Sequence, residues 1–257
     1  MNAFDFSGET AFVTGATNGI GRAATAALAD AGAAVAFNGI GDDTAADLLG
    51  QIEQAGGVAR YIPGRLDDRD GWKSVLHEAR RAFGTISLFV HCASPARREE
   101  ETVLSVSEEA WDAMVNTNLR SGFFLAREIA AALRRERKPG RMVFTASLHA
   151  ETPRNLPHYS AAKAGQVMVV KELARALGPD GIRVNAVAPG AIPGGGFQAD
   201  TTALNARIPM GETGRPEQIA EAVLTLLSDR HSSYVTGTVL AVDGGLALYN
   251  WLPRPDL

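Results

Sequence analysis

The sequence predicts an α/β fold built on a single doubly wound parallel sheet of about seven strands, with helices on both faces. Three observations support this prediction. Short apolar runs alternate with longer segments of helical periodicity, a glycine-rich turn joins the first run to the first helix, and no linker or repeat divides the 257 residues. Strands separated by such helices form parallel βαβ units with right-handed crossovers. We therefore expect one domain, residues 1–257.

The predicted strands are short runs rich in Val, Ala, Phe and Ile. Near-continuous apolar runs are typical of strands that are covered by helices on both faces of a sheet. Glycine, proline or polar residues bound most of them, as expected at the ends of strands. The predicted strands comprise residues 10–15, 33–38, 58–63, 86–93, 140–147, 182–190 and 236–245.

The predicted helices lie between the strands and carry apolar residues at helical spacing. The longest is a single helix over 105–137, with Ser105 or Ser107 as its N-cap. Residues 188–214 are rich in glycine and proline, which indicates a loop with one short helix, and long loops in compact domains often act as lids. The predicted helices comprise residues 19–32, 42–57, 68–84, 105–137 and 158–178.

The composition argues against several classes of function. The chain is 46% apolar and 21% charged, as in an ordinary globular protein, and its net charge of −4 does not indicate a nucleic-acid surface. Cys92 is the single cysteine and cannot form an internal disulfide, which favours a reducing compartment. Neither a signal peptide nor an apolar run of membrane-spanning length is present, so we expect a cytoplasmic protein without membrane partners. The five histidines lack ligand spacing, so no metal site is expected.

The stretch TGATNGIG, Thr14 to Gly21, lies directly between the first strand and the first helix. Gly15 permits a tight turn, Gly19 lets the backbone approach a pyrophosphate, and Gly21 lets the helix pack on the strand. The helix N-terminus then offers N–H groups to the phosphates. A glycine-rich turn without a ligand is the alternative, but this position in the fold favours a Rossmann-like dinucleotide site.

The stretch HYSAAKAG places Tyr159 and Lys163 four positions apart, and therefore on one face of a helix. A free phenol has a pKa of ~10, which a nearby ammonium group lowers. Lowering it to ~7 requires about 4 kcal/mol, of which one lysine supplies part. Such a phenol can exchange a proton with an alcohol oxygen. A surface pair without chemistry is the alternative.

Two further polar residues favour the catalytic interpretation. Ser147 ends the fifth strand, at the sheet edge where ligands bind in such folds. Its hydroxyl can hold a carbonyl or alcohol oxygen, although a solvated loop serine is the alternative. Asn118 lies within the longest helix, where asparagine is a poor helix former. It predicts a local distortion of the helix with a bound water, or else a polar residue on its surface.

Over almost its whole length the sequence resembles the short-chain dehydrogenase/reductase family. The motifs that carry the resemblance are TGATNGIG, NTNLRSGFF, GRMVFTAS, YSAAK and IRVNAVAPGAI. The resemblance implies that Tyr159 is the general acid/base and that Lys163 contacts the nicotinamide ribose while lowering the tyrosine pKa. It further implies that Ser147 orients the substrate oxygen and that Asn118 positions a water in a proton relay to Lys163.

The resemblance also implies a site for NAD or NADP. The chain departs from the family pattern at Ser94 in place of glycine, at Arg65 in place of an acid, and at Gly194 in place of a hydroxyl residue. Asn38 follows strand two, where an acid would repel a 2′-phosphate, so NADP is favoured. The implied cofactor-binding residues are Gly15, Thr17, Asn18, Gly19, Ile20, Gly21, Asn38, Gly39, Arg65, Leu66, Ala93, Ser94, Tyr159, Lys163, Pro189, Gly190 and Ile192.

The implied substrate is a small alcohol or ketone, because the motifs are similar to both the glucose 1-dehydrogenase and the 3-oxoacyl-carrier-protein reductase branches. Arg97, Arg98 and Arg154 can bind an anionic group, although a solvated loop charge is the simpler interpretation. Family members are usually tetramers, so a homotetramer is expected. A dinucleotide-binding regulator without catalysis is the alternative function. The residues expected to face the substrate are Ser147, His149, Arg154, Tyr159 and Phe197.

Overall fold

The computed structural model describes residues 4–97, 100–194 and 201–248. Its centre is a sheet of seven strands in the order β3-β2-β1-β4-β5-β6-β7, and every neighbouring pair is parallel. This topology confirms the predicted fold class. The strands are β1 (Thr10–Thr14), β2 (Ala34–Gly39), β3 (Val58–Pro63), β4 (Leu88–His91), β5 (Gly140–Thr145), β6 (Ile182–Pro189) and β7 (Val239–Val242).

Alternate residues of each strand supply two hydrophobic cores, one on each face of the sheet. In β1, Phe12 belongs to one core, whereas Ala11 and Val13 belong to the other. This is the period of two expected for a pleated strand. Because both faces are covered, nearly every side chain of the central strands is buried, which explains their continuous apolar runs.

The helices cover both faces of this sheet. Residues of α3, α5 and α6 fill the core that contains Phe12, and residues of α1, α2 and α8 fill the other. Among the residues that the structure describes, no helix is both long and apolar enough to cross a bilayer. The helices are α1 (Gly19–Asp30), α2 (Asp42–Gln54), α3 (Gly71–Phe83), α4 (Glu108–Val115), α5 (Ser121–Glu136), α6 (Pro157–Leu177), α7 (Thr202–Asn205), α8 (Pro216–Leu227) and α9 (Asp229–Ser232).

Two sequence predictions about helices require correction. The single helix expected over 105–137 begins at Glu108, with Ser107 as its N-cap, and a π-helical turn, Asn116–Arg120, separates α4 from α5. The sequence analysis did not assign α8, although Pro216 occupies its first turn and its buried residues recur at helical spacing.

The order of the strands creates a crevice at the carboxyl end of the sheet. β1 pairs with β2 on one side and with β4 on the other, so the connections after β1 and β4 leave in opposite directions. In doubly wound folds, ligands bind at this switch point. The loops after β1, β4, β5 and β6 meet there.

Candidate active site

The turn after β1 has the geometry that its glycines predict. Gly15 and Gly19 have φ angles of +65° and +51°, in the region that favours glycine. A Cβ on Gly15 would lie 2.6 Å from the backbone of Ala93, and one on Gly21 would lie 2.2 Å from the carbonyl oxygen of Gly15. The side chain of Asn18 does not cap α1. The first N–H groups of the helix therefore face the crevice without a side-chain partner, as an anion site requires.

The end of β2 packs closely against this turn. A Cβ on Gly39 would lie 2.5 Å from Cγ2 of Thr17, whose hydroxyl donates a hydrogen bond of 3.0 Å to the carbonyl of Ile40. A larger residue at this position would therefore have to displace the side chain of Thr17, and Ile40 is exposed beside it. No carboxylate stands at the end of β2 itself, as the sequence indicates.

The side chain of Asn38, a predicted cofactor-binding residue, is held by the neighbouring strand. It is buried, and its amide nitrogen donates to the carbonyl oxygens of Ile62, at 2.9 Å, and Gly64, at 3.0 Å. Its amide hydrogens are therefore used within the fold and are not available to a ribose phosphate. Asn38 lines the crevice, but its side chain mainly fixes β2 to the loop after β3.

Arg65 and Asp67 form an ion pair at the same end of the crevice. Arg65 is largely exposed, and the hydrogen bond from its guanidinium lowers the pKa of Asp67. Both residues line the crevice together with Leu66. The positive charge that could attract a 2′-phosphate is thus balanced by an acid that the sequence analysis did not identify.

His91 ends β4 and connects two parts of the site. Its Nδ1 accepts from the hydroxyl of Thr14 at 2.8 Å, and its Nε2–H faces the carbonyl oxygens of Thr117 and Asn118, both at 3.1 Å. Two carbonyl acceptors at Nε2 require the proton there. The pKa of His91 is lowered from 6.5 to about 4, mainly by complete burial and secondly by the charge of Lys163. The ring is therefore neutral at pH 7.

The structure contains the helix distortion expected at Asn118, within the π-helical turn. Its Nδ2 donates to the carbonyl of Met114 at 3.1 Å and to the hydroxyl of Ser94 at 3.3 Å. Its main-chain oxygen accepts from Gln166 at 2.6 Å. Its Oδ1 is buried without a protein partner, so it is an acceptor for a water or a ligand.

Tyr159 and Lys163 lie one turn apart near the start of α6, and both are buried. The ammonium nitrogen of Lys163 lies 5.7 Å from the centre of the Tyr159 ring and donates to the carbonyl of Thr145 at 2.6 Å. Burial lowers the pKa of Lys163 despite the opposing effect of the Tyr159 phenolate.

The pKa of Tyr159 is lowered from 10.0 by its neighbours. Burial alone would raise it, but the positive charges of Lys163 and Arg97 and hydrogen bonds with Ser147 and Arg97 outweigh this effect. Ser147 also accepts from the backbone N–H of His149 at 3.1 Å, which fixes its hydroxyl two residues beyond β5. The arrangement can hold an oxygen between two hydroxyls and exchange a proton with it.

Arg97 contacts the phenol, although a solvated loop charge is the simpler interpretation of the sequence. Its Nη1 donates to the Tyr159 oxygen at 3.1 Å, and its Cζ lies 5.0 Å from the ring centre. That simpler interpretation is therefore wrong for Arg97. Nothing in the sequence around Arg97 indicates a contact with a residue 62 positions away. Phe197 and Arg98 lie outside the described residues.

The remaining predicted residues come from the loops after β5 and β6. His149 directs Nδ1 to the carbonyl of Thr152 at 2.9 Å, and its ring packs edge-on against Tyr159. A Cβ on Gly190 would lie 2.7 Å from Asp243, so the loops after β6 and β7 touch at that point. Gly194 has a φ of +108°, a conformation that a hydroxyl residue would rarely adopt.

These residues line one cavity of about 380 Å³. Of the predicted residues that the structure describes, only Asn118 is absent from its wall, because it lies directly behind Ser94. Cys92 and Thr145 also line it and hydrogen-bond to each other at 3.0 Å, and burial raises the pKa of the thiol to about 11. No group of metal-ligating side chains occurs among the described residues.

The chain matches a family of known proteins along most of its length. The family described as "Enoyl-(Acyl carrier protein) reductase" matches residues 15–247. A 3-oxoacyl-(acyl-carrier-protein) reductase of Thermotoga maritima is 34% identical, over 94% of this chain and 98% of that protein. Glucose 1-dehydrogenase 2 of Bacillus subtilis is 33% identical, over 95% of this chain and 97% of that protein.

A solved structure extends the similarity to three dimensions. It is a protein from Agrobacterium tumefaciens described as a 2-deoxy-D-gluconate 3-dehydrogenase, with bound NADP. It superimposes with a TM-score of 0.86 at 33% identity, over 96% of this chain and all of that one (100%). Sequence relatives and structural neighbour thus agree on one family, although their names give different substrates.

Proposed function

The chain belongs to the short-chain dehydrogenase/reductase family and is an oxidoreductase acting on CH–OH or keto groups, and from that premise we propose that Tyr159 is its general acid/base. The proposed substrate is a small alcohol or ketone, either a sugar or polyol or a 3-oxoacyl compound. The names of the relatives support both classes.

The observation that carries this proposal is the phenol itself. Tyr159 is buried, its pKa is lowered, and it lines the cavity that the glycine-rich turn borders. In the oxidation direction the phenolate takes the proton of the substrate hydroxyl, and in the reduction direction the phenol returns it. Ser147 holds the same substrate oxygen, and Lys163 keeps the phenolate stable.

The residues present fit a nicotinamide dinucleotide. The uncapped N-terminus of α1 and the close packing of Gly15 and Gly21 form a cradle for a pyrophosphate. When bound, the nicotinamide supplies the acceptor or donor of hydride. Lys163 would contact the nicotinamide ribose, and Ser94, Pro189 and Ile192 line the same cavity and would hold the cofactor there.

Asn118 is the proposed support for a water in a proton relay to Lys163. Its buried Oδ1 has no protein partner and can accept from such a water. The π-helical turn and the bonds from His91 and Gln166 to its main-chain oxygen hold the residue in place. The relay would return protons from Tyr159 to solvent through the lysine.

NADP is the proposed preferred coenzyme, with NAD as a competent second. The end of β2 carries Gly39 and the exposed Ile40, so no carboxylate there repels a 2′-phosphate. Arg65 is the cation that would contact the phosphate, although its pair with Asp67 weakens the attraction. The NADP found in the Agrobacterium structure agrees with this preference.

The assembly, compartment and lid are proposed on narrower grounds. Exposed Trp111 on α4, Met168 on α6 and Leu240 on β7 are suitable contacts for a homotetramer. The single cysteine supports a reducing cytoplasm. Residues 188–214 are the proposed substrate loop of a single domain.

The test compares Tyr159→Phe with Tyr234→Phe, in which the replaced phenol is fully exposed. Both variants and the parent are assayed with sugars, polyols, 3-hydroxyacyl esters and ketones, each with both coenzymes, by nicotinamide absorbance. We expect turnover by Tyr159→Phe to fall by about 10²–10⁴-fold. The variant should still bind coenzyme, which is measured by the change in coenzyme fluorescence on binding. The control variant should retain full activity.

Two results would contradict the proposal. Turnover by Tyr159→Phe at the parental rate would remove the proposed acid/base. Coenzyme binding by the parent protein without turnover of any alcohol or ketone would instead favour the dinucleotide-binding regulator.

A further inference from the structure

The guanidinium of Arg97 contacts the same phenol oxygen that exchanges a proton with the substrate in the proposed reaction. Its Nη1 donates to the Tyr159 oxygen at 3.1 Å, and Cζ lies 5.0 Å from the ring centre. Arg97 is only partly exposed and lines the cavity on the side of Ser147 and Tyr159. Within the described part of the chain it forms no ion pair with an acidic residue.

Substrate binding must change this contact. A phenolate oxygen between Ser147 and an incoming hydroxyl has limited room for a third donor, so the substrate displaces Arg97 or shares the oxygen with it. A guanidinium has five N–H donors in a fixed fork, and its best partner is a carboxylate bound through two oxygens. An anionic group on the substrate would therefore provide Arg97 with a stronger partner than the phenol.

The charges around this end of the cavity favour an anion. Arg97 lines it, and the ammonium nitrogen of Lys163 lies 5.7 Å from the centre of the Tyr159 ring. Among the described residues of the wall, the one acid is Asp67, which lies at the opposite, adenosine end and pairs with Arg65. No described acid therefore opposes a negative substrate beside Tyr159.

The distances define where the anionic group stands on the substrate. The reacting oxygen lies about 3 Å from the phenol oxygen, and a carboxylate oxygen lies about 3 Å from Arg97. The phenol oxygen and Nη1 are themselves 3.1 Å apart. Two substrate oxygens bound in this way lie at most about 9 Å apart, and 2- and 3-hydroxy acids, whose oxygens stand on neighbouring or next-neighbouring carbons, are the smallest substrates that reach both groups.

We propose that the substrate of this enzyme is a 2- or 3-hydroxy acid, or the corresponding keto acid, whose carboxylate is bound by Arg97. The inference rests on the proposed oxidoreductase function and narrows its substrate class. In the oxidation the C–H bond of the carbinol breaks, its electron pair and hydrogen pass as hydride to the oxidised nicotinamide coenzyme, and the hydroxyl proton passes to Tyr159. The carboxylate remains unchanged and serves to orient the carbinol.

The experiment compares acids with amides of the same shape. Lactate, 3-hydroxybutyrate and D-gluconate, the first two as both enantiomers, are each paired with the corresponding amide and tested with both coenzymes. The proteins are the parent, Arg97→Gln, Arg97→Lys and the control Arg81→Gln, which removes an exposed positive charge from α3. Steady-state kcat and KM are measured, and binding of each acid to the enzyme–coenzyme complex is measured by calorimetry.

We expect the parent to prefer at least one acid over its amide by about 10–100-fold in kcat/KM, the range for a charge-assisted hydrogen bond. In Arg97→Gln the acid-to-amide ratio of kcat/KM should fall close to one, mainly because the acid has a higher KM and binds more weakly. Arg97→Lys should recover part of the ratio, and Arg81→Gln should leave it unchanged.

Three outcomes would overturn the inference. One is a parent enzyme that uses the amides, or other neutral alcohols, as well as the acids. A second is an acid-to-amide ratio of kcat/KM that Arg97→Gln does not change, while kcat falls equally for acid and amide and the pH profile is displaced. Arg97 would then act only on the phenol. The third is a parent that neither binds nor oxidises any of the acids although it binds coenzyme. Loss of coenzyme binding as well would contradict the proposed function itself.

Discussion

The replacement Lys163→Met removes the positive charge that lies closest to the proposed base along α6. Methionine keeps the length and the apolar stem of lysine, so the helix should persist. The ammonium nitrogen and the ring of Tyr159 are 5.7 Å apart, and both side chains are buried. The loss of the charge should therefore act mainly on the pKa of the phenol.

The size of the effect follows from Coulomb's law. The 5.7 Å from the ammonium nitrogen to the ring centre is used as the separation of the two charges, and unit charges at that separation interact by about 3 kcal/mol at an effective dielectric constant of about 20. At roughly 1.4 kcal/mol per pKa unit, the pKa of Tyr159 should rise by about 2. Oxidation of the alcohol needs the phenolate, so its rate rises with pH through this pKa. In the variant, the rising limb of the kcat profile should therefore lie about 2 pH units higher. At pH values below the limb, kcat of the variant should be about 100-fold lower than that of the parent.

The assay is a pH profile of kcat in the oxidation direction at saturating coenzyme, because Lys163 is also expected to contact the ribose. Lys171→Met removes an exposed lysine from the same helix and should leave the profile unchanged. Lys163→Arg restores a cation and should restore most of the profile.

One result would refute the electrostatic reasoning. If kcat of Lys163→Met falls by the same factor at every pH, with the limb at its parental position, Lys163 acts only by positioning. Loss of the hydrogen bond to Thr145 must be measured separately, because the unpaired carbonyl costs about 1–3 kcal/mol of stability. Thermal unfolding of the variant gives that contribution.

Three further predictions concern the coenzyme and the fold. Asp67→Asn frees the guanidinium of Arg65 and should raise the NADP-to-NAD ratio of kcat/KM by about threefold, a small effect because the pair is exposed; an unchanged ratio would exclude Arg65 from the phosphate site. Gly21→Ala places a Cβ 2.2 Å from a backbone oxygen and should cost about 1–3 kcal/mol of unfolding free energy together with coenzyme binding, whereas Gly50→Ala, with open space around the added methyl, should be neutral or stabilising; equal behaviour of the two in urea unfolding would contradict this. The pKa of His91 is lowered from 6.5 to about 4, so between these two pH values the unfolded chain binds a proton that the folded protein does not. The free energy of unfolding should therefore fall by about 3 kcal/mol as the pH falls from 6.5 to 4, and should show no such loss above pH 6.5. His91→Asn should flatten that part of the pH–stability curve, and an equally steep curve would refute it.

The fold and the pairing of Tyr159 with Lys163, the proposed catalytic pair, can be predicted from the sequence because their signals are local. Apolar runs and helical periodicity are properties of consecutive residues, and the glycines of the first turn are required by backbone contacts within and beside one motif. Tyr159 and Lys163 share a helix face because they are four positions apart. Such predictions survive errors of a few residues in the bounds of an element.

The features that the sequence does not reveal depend on contacts between distant segments. The amide nitrogen of Asn38 donates to two carbonyl groups, one at the end of β3 and one in the following loop, and no local pattern indicates these partners. Arg97 lies 62 residues before Tyr159, and only the folded loop after β4 brings them together. A polar side chain in a loop has no periodicity, so its sequence gives no indication of which partner it finds.

His91 shows how one buried side chain connects distant segments of the site. The imidazole reaches from Thr14 on β1 to two carbonyl oxygens of the π-helical turn, and thereby fixes the backbone that carries Asn118. This requires the neutral ring with its proton on Nε2, because a protonated Nδ1 would turn a donor toward the Thr14 hydroxyl and charge a fully buried site. Since the pKa of His91 is about 4, the ring keeps this form throughout the range in which the phenol titrates. A limb in the rate profile near neutral pH therefore cannot come from His91, and its displacement in Lys163→Met would report on Tyr159.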